Sequence, residues 1–548
     1  MSLDRCLLLA RAARPADREA LAARIESLAR WHRGAATWTR VGEHCAAGAV
    51  RYDRRRESLA EPLAFGEEAA PRDVLAAPPA ALRALDGATA LLHAGAESAC
   101  LVAGAGCPGM LFAASSATVD AWSTHAVAAA WLAHGRARVD PAAVPEQLAA
   151  EFVGGERSLI EGARPLPQAV RVTVADRGTT VEDLWPLAER WAALPEDEAA
   201  AHAERHLLAS LERRVPAGAH ASLTAGLDSR VVAVALSELG LAPRAFTWGE
   251  PGWDDVRGAA EVAHRLRLDH EVVAIEWLGD EDAMREVDRQ ARWTEGALQA
   301  GFARLVWPEP MQGFVTGAGG EAGRAFYYRD AAPAREEADP AELAGALVRL
   351  LEPRLAGARP EAVESLAASA RGWVEAAAAA GHGGWRTLDV VYGEQRLRRW
   401  LRGMLPRLEA PMIPAFATPE IGRALASLPL DQRLSDGFHR GFLERRAPEL
   451  VPRPAARRRR LRDRLPGRLR GGAPSPLRAR WPAHPAFRDW VSEGVLGSPL
   501  VTDPLGERWA ARTRSRLLAG DAHAEATALA AAAVVALADA LPELGHDA

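Results

Sequence analysis

The sequence predicts an α/β fold with a parallel sheet flanked by helices, preceded by a region of α+β character. Short β-prone runs alternate with helix-spaced apolar residues between positions 215 and 316. Glycine-containing turns follow two of these strands, and the first 190 residues contain shorter apolar runs separated by turns. Such alternation is typical of parallel sheets that bind their ligands beyond the carboxyl ends of the strands.

The first part of the chain has weaker periodicity. Residues 6–10, 89–93 and 99–102 are apolar runs that predict strands. Residues 186–211 favour helix, with a break at Pro195, and connect the two halves. We therefore expect one domain over residues 1–190 and a second over residues 191–548.

The second part has clearer elements. Strands are predicted at 215–223, 244–248, 270–275 and 313–316, and helices after residue 230, at 254–268 and at 280–293. Alanine-rich helices fill the remainder. The wholly apolar run 528–538 is shorter than the roughly 20 residues that span a bilayer, so it predicts a packed terminal helix. The first apolar run is too short for a signal peptide.

Residues 221–230 join a strand to a helix and read Ala-Ser-Leu-Thr-Ala-Gly-Leu-Asp-Ser-Arg. A turn at this junction leaves backbone N–H groups at a helix N-terminus, which attracts an anion. Gly226 permits close approach, and the hydroxyls of Thr224 and Ser229 can add hydrogen bonds. Asp228 would repel a bare phosphate, so it fits best as a ligand of Mg²⁺. The alternative is a helix capped by Thr, Asp and Ser.

A second glycine-rich turn, Thr-Gly-Ala-Gly-Gly-Glu-Ala-Gly-Arg, occupies residues 316–324. Together the two turns resemble the Ser-Gly-Gly-x-Asp-Ser loop of ATP pyrophosphatases (PP-loop proteins) and the Ser-Gly-x-Gly-Ser-Asp-Glu loop of the asparagine synthetase superfamily. Thr224 stands in place of the usual Ser, Ala225 in place of Gly, and Glu321 in place of Asp. A flexible glycine loop is the alternative for the second turn.

This resemblance implies a PP-loop synthetase domain with ATP and Mg²⁺ as cofactors. ATP or its pyrophosphate would lie against seven residues: Thr224, Ala225, Gly226, Asp228, Ser229, Gly319 and Gly320. The metal would be held by Asp228 and Glu321. Residues 151–167 resemble the end of the family's N-terminal domain, and residues 438–452 resemble the helix before its synthetase loop.

The amino terminus bears on the nitrogen donor. Glutamine-dependent members of the family begin with a catalytic cysteine, whereas this chain begins Met-Ser, and Cys6 lies inside a strand-like run. The resemblance therefore implies a degenerate glutaminase-like (Ntn-hydrolase-type) domain that releases no ammonia from glutamine. The four cysteines have no metal-site spacing and point to a reducing, cytoplasmic location.

The chain contains no lysine, so all 67 of its basic residues are arginine. A Walker phosphate loop and a Schiff-base enzyme each need a lysine, and both are excluded. Amide-forming members of the family use a late lysine, and here residues 457–460 are all arginine. We assign Arg460 to that catalytic position; a solvated loop is the alternative. The net charge of −5 and the lack of interleaved aromatics argue against a nucleic-acid partner.

Two further segments lie in the region expected to bind substrate. Glu394 is a candidate catalytic base for the attacking amine, and an ion pair with Arg398 is its alternative. Ala318 occupies the position of the dyad tyrosine in β-lactam-forming members. Residues 294–296 could line an acyl pocket or simply end a helix.

From these features we expect an ATP-dependent ligase that adenylates a carboxylate, releases pyrophosphate and transfers the acyl group to an amine. Among relatives without a working glutaminase, the layout resembles lasso peptide cyclases, which implies macrolactam formation on a ribosomal precursor peptide. A small-molecule amide or β-lactam synthetase, and a non-catalytic nucleotide-binding relative, are the alternatives. The expected partners are a peptide or small-molecule carboxylate, a leader-peptide-binding protein and a protease, and no membrane.

Overall fold

The computed structural model describes residues 5–51, 63–65, 77–79, 82, 90–106, 110–241, 243–274, 278–297, 311–329, 335–404, 412–451 and 485–545. The fold is mixed α/β, with two antiparallel sheets in the first half and a five-stranded parallel sheet flanked by helices in the second. Two features named above, Ser2 and the arginine run 457–460, lie outside the described residues.

The described residues of the first half form eleven strands and three α-helices. The strands are β1 (Arg5–Ala12), β2 (Ala35–Val41), β3 (Cys45–Arg51), β4 (Leu63–Phe65), β5 (Ala90–Ala94), β6 (Ser98–Ala103), β7 (Phe112–Ser115), β8 (Val119–Ser123), β9 (Arg164–Pro165), β10 (Val170–Ala175) and β11 (Gly178–Asp183). The helices are α1 (Pro15–Trp31), α2 (Ala126–His134) and α3 (Val144–Ala150). The predicted strands at 6–10, 89–93 and 99–102 correspond to β1, β5 and β6.

These strands form a two-layer sandwich. One sheet has the order β2-β3-β1-β8-β7-β9 and the other the order β11-β10-β6-β5-β4. Strand β1 contacts β5, β6 and β10 of the opposite sheet, while α1 and α2 pack against the first sheet. Because β1 is covered on both sides, its residues from Cys6 to Ala10 are almost completely buried.

The second half begins with helices α4 (Leu187–Arg190) and α5 (Glu196–Arg214), interrupted as predicted at Pro195. The parallel strands are β12 (His220–Ser222), β13 (Arg244–Trp248), β14 (His270–Val273), β15 (Phe314–Thr316) and β16 (Met412–Pro414). Helices α6 (Leu227–Glu238), α7 (Asp254–Leu266) and α8 (Asp280–Thr294) lie between them in sequence.

The strand order is β14-β13-β12-β15-β16, and every pairing is parallel. The chain runs outward from β12 to β14 and then returns to the other side of β12 with β15. Connections therefore leave β12 and β15 in opposite directions, which opens a crevice beyond their carboxyl ends. The two glycine-containing turns of the sequence follow these two strands.

Helices make up most of the remaining described residues. They are α9 (Pro340–Leu351), α10 (Pro360–Ala379), α11 (Arg386–Val391), a π-helical turn (Tyr392–Leu397), α12 (Arg398–Trp400), α13 (Pro419–Ala426), α14 (Leu430–Leu434), α15 (Gly437–Arg446), α16 (Pro485–Asp489), a second π-helical turn (Trp490–Val495), α17 (Pro499–Leu505), α18 (Glu507–Leu518) and α19 (Ala522–Ala540).

The terminal helix is longer than the apolar run 528–538 alone. Within the described residues, one stretch, His523–Gly545, is long and apolar enough to cross a membrane, but 83% of its most apolar window is buried inside the protein. Helix α19 contacts α8 and α18, and the indole of Trp31 donates a 2.8 Å hydrogen bond to the carbonyl of Ala540. This burial is the pattern of a core helix, as the sequence predicts.

Candidate functional site

The turns after β12 and β15 meet at the crevice. Asp228 lies in the first turn of α6, and the second turn folds directly over its side chain. A Cβ at Gly320 would lie 2.3 Å from Oδ1 of Asp228, so only glycine allows this approach. Gly319, with φ of +93°, precedes the short 3-10 turn Gly320–Gly323 that contains Glu321. The structure therefore brings both predicted acids to one place.

Hydroxyl groups organise the first turn from within. The hydroxyls of Thr224 and Ser229 lie 3.0 Å apart, and the amide of Thr224 donates to Oγ of Ser229. The amide of Gly226 donates to Oγ1 of Thr224. Helix α6 begins after Gly226 without any capping side chain. The capped-helix alternative is therefore not what the chain adopts, and the N-terminus of α6 is open to an anion.

Ala225 has a specific neighbour in the next helix. Its amide donates a 3.3 Å hydrogen bond to Oδ1 of Asp255, an exposed residue in the first turn of α7. Its methyl group lies where Gly258 of α7 has no side chain, since a Cβ there would be 2.5 Å away. A carboxylate thus occupies one amide of the turn.

Asp228 contacts two basic side chains. Nη1 of Arg324 donates a 2.9 Å hydrogen bond to Oδ2, and Nε2 of the fully buried His439 lies 2.9 Å from Oδ1. The His439 contact lacks hydrogen-bond alignment, so Oδ1 has no hydrogen-bond partner. Burial raises the pKa of Asp228, but His439 and Arg324 outweigh it, and the pKa lies below its ordinary value. The carboxylate is therefore ionised at neutral pH.

Arg324 is itself held by a second acid. Its Nε donates a 2.8 Å hydrogen bond to Asp436, which also receives two hydrogen bonds from Arg329. Although burial opposes ionisation, the bonds from Arg329 and Arg324 lower the pKa of Asp436 to about 2. Asp436 precedes α15 with φ of +62°. The same helix contributes His439, so α15 buttresses the site.

Glu321 has the opposite electrostatic character. Burial, followed by the neighbouring charge of Asp228, raises the pKa of Glu321 above its ordinary value. The hydroxyl of Tyr392 donates a 3.1 Å hydrogen bond to its Oε2 and partly offsets this effect. The two acids are close enough to repel each other, which a cation between them would relieve.

Tyr392, two residues before Glu394, is a site residue that the sequence reasoning missed. It begins a π-helical turn, a feature common at functional sites, and its ring contacts Phe326 at 4.9 Å between centroids. The available sequence signal was a tyrosine two residues before an acid, but the sequence reasoning gave a catalytic role to the acid, Glu394, and none to the tyrosine. His439 gave no local signal at all.

Glu394 is fully engaged elsewhere. Nε and Nη2 of Arg190 each donate a 3.0 Å hydrogen bond to its carboxylate, and the indole of Trp191 donates another. Burial raises the pKa of Glu394, but Arg190 more than compensates and the pKa is lowered. The structure thus corrects both expectations for this residue. Its hydrogen bonds come from Arg190 and Trp191, while Arg398 acts on it through charge, and the carboxylate oxygens are already engaged instead of being available to accept a substrate proton.

Residues 294–296 do not face the crevice. The carboxylate of Glu295 is buried against Nη2 of Arg402, 3.0 Å away, and accepts from the amide of Val127 in the first half of the chain. Thr294 and Glu295 border a small cavity of about 50 Å³ together with Met110 and Phe112. These residues therefore join the two halves of the protein.

The first turn is also tied to the segment that leads into the arginine run. Nε of Arg230 donates to the carbonyl of Ala225, and its Nη1 donates a 2.8 Å hydrogen bond to the carbonyl of Leu450. Residues 457–460 themselves, including Arg460, lie outside the described residues.

Cys6 is buried and unreactive. Its Sγ lies 3.4 Å from Oγ of Ser123, and burial raises the pKa of the thiol to about 12. The described cysteines Cys6, Cys45 and Cys100 are all buried without disulfides. Because burial raises the pKa of both Cys6 and Cys45, neither offers the thiolate that nucleophilic catalysis requires.

In comparisons with known proteins, no protein-family model and no curated protein matches this chain.

Proposed function

We propose that this protein is an ATP-dependent, AMP-forming ligase of the asparagine synthetase superfamily, with a degenerate Ntn-type domain followed by a PP-loop synthetase domain. The observation that carries the proposal is the meeting of two glycine turns at the strand-order reversal, with Asp228 and Glu321 as neighbouring acids. Ligands of such sheets bind in this crevice. The two-sheet sandwich of the first half supports the proposed Ntn-type ancestry.

The two acids fit Mg²⁺. Oδ1 of Asp228 is buried and receives no aligned hydrogen bond, although His439 lies 2.9 Å away. Burial, followed by the charge of Asp228, raises the pKa of Glu321. Although Arg324 pairs with Oδ2 of Asp228, two neighbouring carboxylates are suitable ligands for a hard divalent cation. When bound, Mg²⁺ would neutralise charge on the phosphates of ATP.

The remaining polar groups match the charge of a nucleotide. The open N-terminus of α6 presents backbone amides and the positive end of its dipole to the crevice. The guanidinium of Arg324, beside Asp228, can pair with a phosphate oxygen of the leaving pyrophosphate. These groups favour attack by a carboxylate at the α-phosphorus because they stabilise the charge that the leaving group gains.

The acyl and amine groups are proposed on the resemblance to lasso peptide cyclases. An Asp or Glu side chain of a ribosomal precursor peptide would be adenylated and then attacked by the N-terminal amine of the same peptide. The bond broken joins the α- and β-phosphates, and AMP leaves when the amide forms. A leader-peptide-binding protein and a protease would act beside this enzyme. Because Cys6 is inert, glutamine would not supply nitrogen.

The test uses the full chain with ATP, Mg²⁺ and synthetic peptides that have a free N-terminal amine and an internal Asp or Glu. We expect AMP and pyrophosphate in equal amounts, together with a peptide lighter by one water. Hydroxylamine should trap the acyl adenylate as a hydroxamate. Added glutamine should release no glutamate. Formation of ADP and phosphate during turnover, or glutamate released in step with AMP, would refute the proposal.

One observation favours a second candidate, a nucleotide-binding protein without ligase activity. The amide of Ala225 is already bonded to Asp255, and Asp228 is already paired with Arg324. Both contacts compete with phosphate and metal. Calorimetric titration with ATP and Mg²⁺ separates the candidates, since binding without any AMP or trapped hydroxamate on peptide and small-molecule acids supports the second.

A further inference from the structure

A cluster of two histidines and one glutamate lies apart from the crevice, between α5 and α13. His202 and His206 are four residues apart on α5, and Glu420 is in the first turn of α13. Nε2 of His202 lies 3.1 Å from Oε2 of Glu420, and the two imidazole centroids are 4.3 Å apart. All three side chains are half-buried. One potential ligand atom from each residue lies within 4.8 Å of the others.

This geometry has the chemistry of a transition-metal site. Histidines at positions i and i+4 of a helix project from one face and bind Zn²⁺ in many proteins, with a carboxylate as a common third ligand. Tetrahedral Zn²⁺ with bonds of about 2.0–2.1 Å needs ligand atoms about 3.4 Å apart. Small side-chain rotations would bring the three ligand atoms, now within 4.8 Å of one another, to that spacing. Water can supply the fourth ligand because the side chains are partly open to solvent. Mg²⁺ prefers oxygen ligands to imidazole, so this site differs in its metal preference from the one proposed at Asp228 and Glu321.

We propose that His202, His206 and Glu420 bind one Zn²⁺ ion that fastens α13 to α5. At present Glu420 accepts hydrogen bonds from His202 and from Nε of Arg423, at 3.1 and 2.6 Å. On metal binding, His202 and Glu420 would both coordinate the ion instead of sharing a hydrogen bond, while Arg423 would continue to orient the carboxylate.

The position of α13 gives this site a structural consequence. Helix α13 packs against the 3-10 turn Gly320–Gly323, where a Cβ at Gly323 would lie 3.1 Å from Cδ2 of Leu425. That turn contains Glu321. A metal that fixes α13 therefore restrains the surface on which the second glycine turn rests, whatever reaction the crevice performs.

The experiment titrates Zn²⁺ into untagged full-length protein in competition with a chromophoric chelator. Excess Mg²⁺ keeps the oxygen sites filled. A Cys107→Ser background removes the one cysteine outside the described residues. We expect one equivalent of Zn²⁺ to bind. His202→Ala, His206→Ala and Glu420→Gln should each weaken binding by at least about tenfold, since even residues that only support a metal ligand cost 10–100-fold.

His264→Ala is the matched control, because His264 is exposed in the last turn of α7. It should bind Zn²⁺ as the parent does. Zn²⁺ should raise the Tm of the parent and the control but not of the three ligand variants, and all five proteins should melt at similar temperatures in EDTA. The proposal is overturned if the parent binds no equivalent of Zn²⁺, or if the ligand variants bind it as tightly as His264→Ala does.

Discussion

The hydroxyl of Tyr392 donates a 3.1 Å hydrogen bond to Oε2 of Glu321 across 71 residues of sequence. The bond links a π-helical turn to the glycine turn after β15. It favours the ionised form of a carboxylate that burial and Asp228 both push towards protonation. Tyr392 therefore helps to keep Glu321 able to bind a cation.

Replacing Tyr392 by Phe should raise the pKa of Glu321. The fall in activity or MgATP binding on acidification, which reports protonation of Glu321, should then occur at a higher pH. A hydrogen bond to a charged group contributes about 1.5–3 kcal/mol, so a shift of about one pH unit is expected for this half-buried carboxylate. Tyr327→Phe is the control, because the buried hydroxyl of Tyr327 has no hydrogen-bond partner. Coincident pH profiles for Tyr392→Phe and the parent would contradict the assignment.

Adding one methyl group to the second turn should disable the site. In Gly320→Ala the new Cβ would lie 2.3 Å from Oδ1 of Asp228, so the turn must move and the two acids must separate. MgATP affinity, measured by calorimetry, should fall sharply. Gly372→Ala, in the exposed middle of α10 where a Cβ meets nothing within 4 Å, should keep affinity and stabilise the protein by about 0.4–1 kcal/mol. Equal affinities in the two variants would disprove the close approach.

Three acid substitutions should act in different directions on nucleotide binding. Asp228→Asn and Glu321→Gln each remove a proposed metal ligand and should abolish Mg²⁺-dependent turnover without unfolding the protein. Asp255→Asn should instead strengthen MgATP binding, since it removes the negative charge that now faces the amide of Ala225. Calorimetry at limiting Mg²⁺ measures MgATP binding by all three variants, and AMP release measures the turnover of the two ligand variants. Wild-type behaviour of either ligand variant would show that the metal assignment is wrong.

The acid Asp436 makes stability depend on pH. Its pKa of about 2 lies below the value of about 3.9 expected for an unfolded chain. The stabilisation is therefore fully present above pH 4 and declines as the pH falls towards 2; it amounts to at most about 3 kcal/mol. Asparagine tolerates the positive φ here, so Asp436→Asn is a suitable variant. Urea midpoints of parent and variant should differ at pH 6 and converge towards pH 3. A difference in urea midpoint that does not change with pH would show that the ionisation of Asp436 is not the source of this stabilisation.

Much of the parallel sheet could be predicted from local sequence. Strand β13 and helix α8 stand out because they are periodic and bounded by turns, and they match the expected limits within one residue. Strand β12 is shorter than predicted because Pro216 and Gly218, with φ of +78°, form a turn. Strand β16 was missed because its three residues end in proline and carry no periodicity.

The two acids of the candidate site could also be placed in advance, since each follows a strand of the same sheet. Their partners could not be. His439 and Tyr392 reach the crevice from helices whose packing depends on contacts far apart in sequence. For the same reason the i+4 rule suggested Arg398 for Glu394, whereas two of its hydrogen bonds come from Arg190, 204 residues away. Local patterns identify charged groups, but tertiary packing selects their partners.

The proposed ligase needs a cation in place of the lysine that amide-forming asparagine synthetase relatives use. Arg230 holds the carbonyl of Leu450, so the chain enters residues 452–484 beside the first glycine turn. An arginine from 457–460 would keep its charge throughout the cycle and stabilise the pyrophosphate or the acyl adenylate. Its contribution would resemble that of one oxyanion-hole donor, about 3–4 kcal/mol. Single alanine substitutions at 457–460 should therefore reveal one position, expected at Arg460, whose loss slows amide formation by about two orders of magnitude or more. Pyrophosphate exchange, which reports adenylation, should suffer less.

Arg445→Ala, on the exposed side of α15, is the control because its partner Glu204 also pairs with Arg446. Full amide formation by the fourfold alanine variant would instead assign the catalytic cation to Arg324 or Arg230, the two arginines already at the crevice.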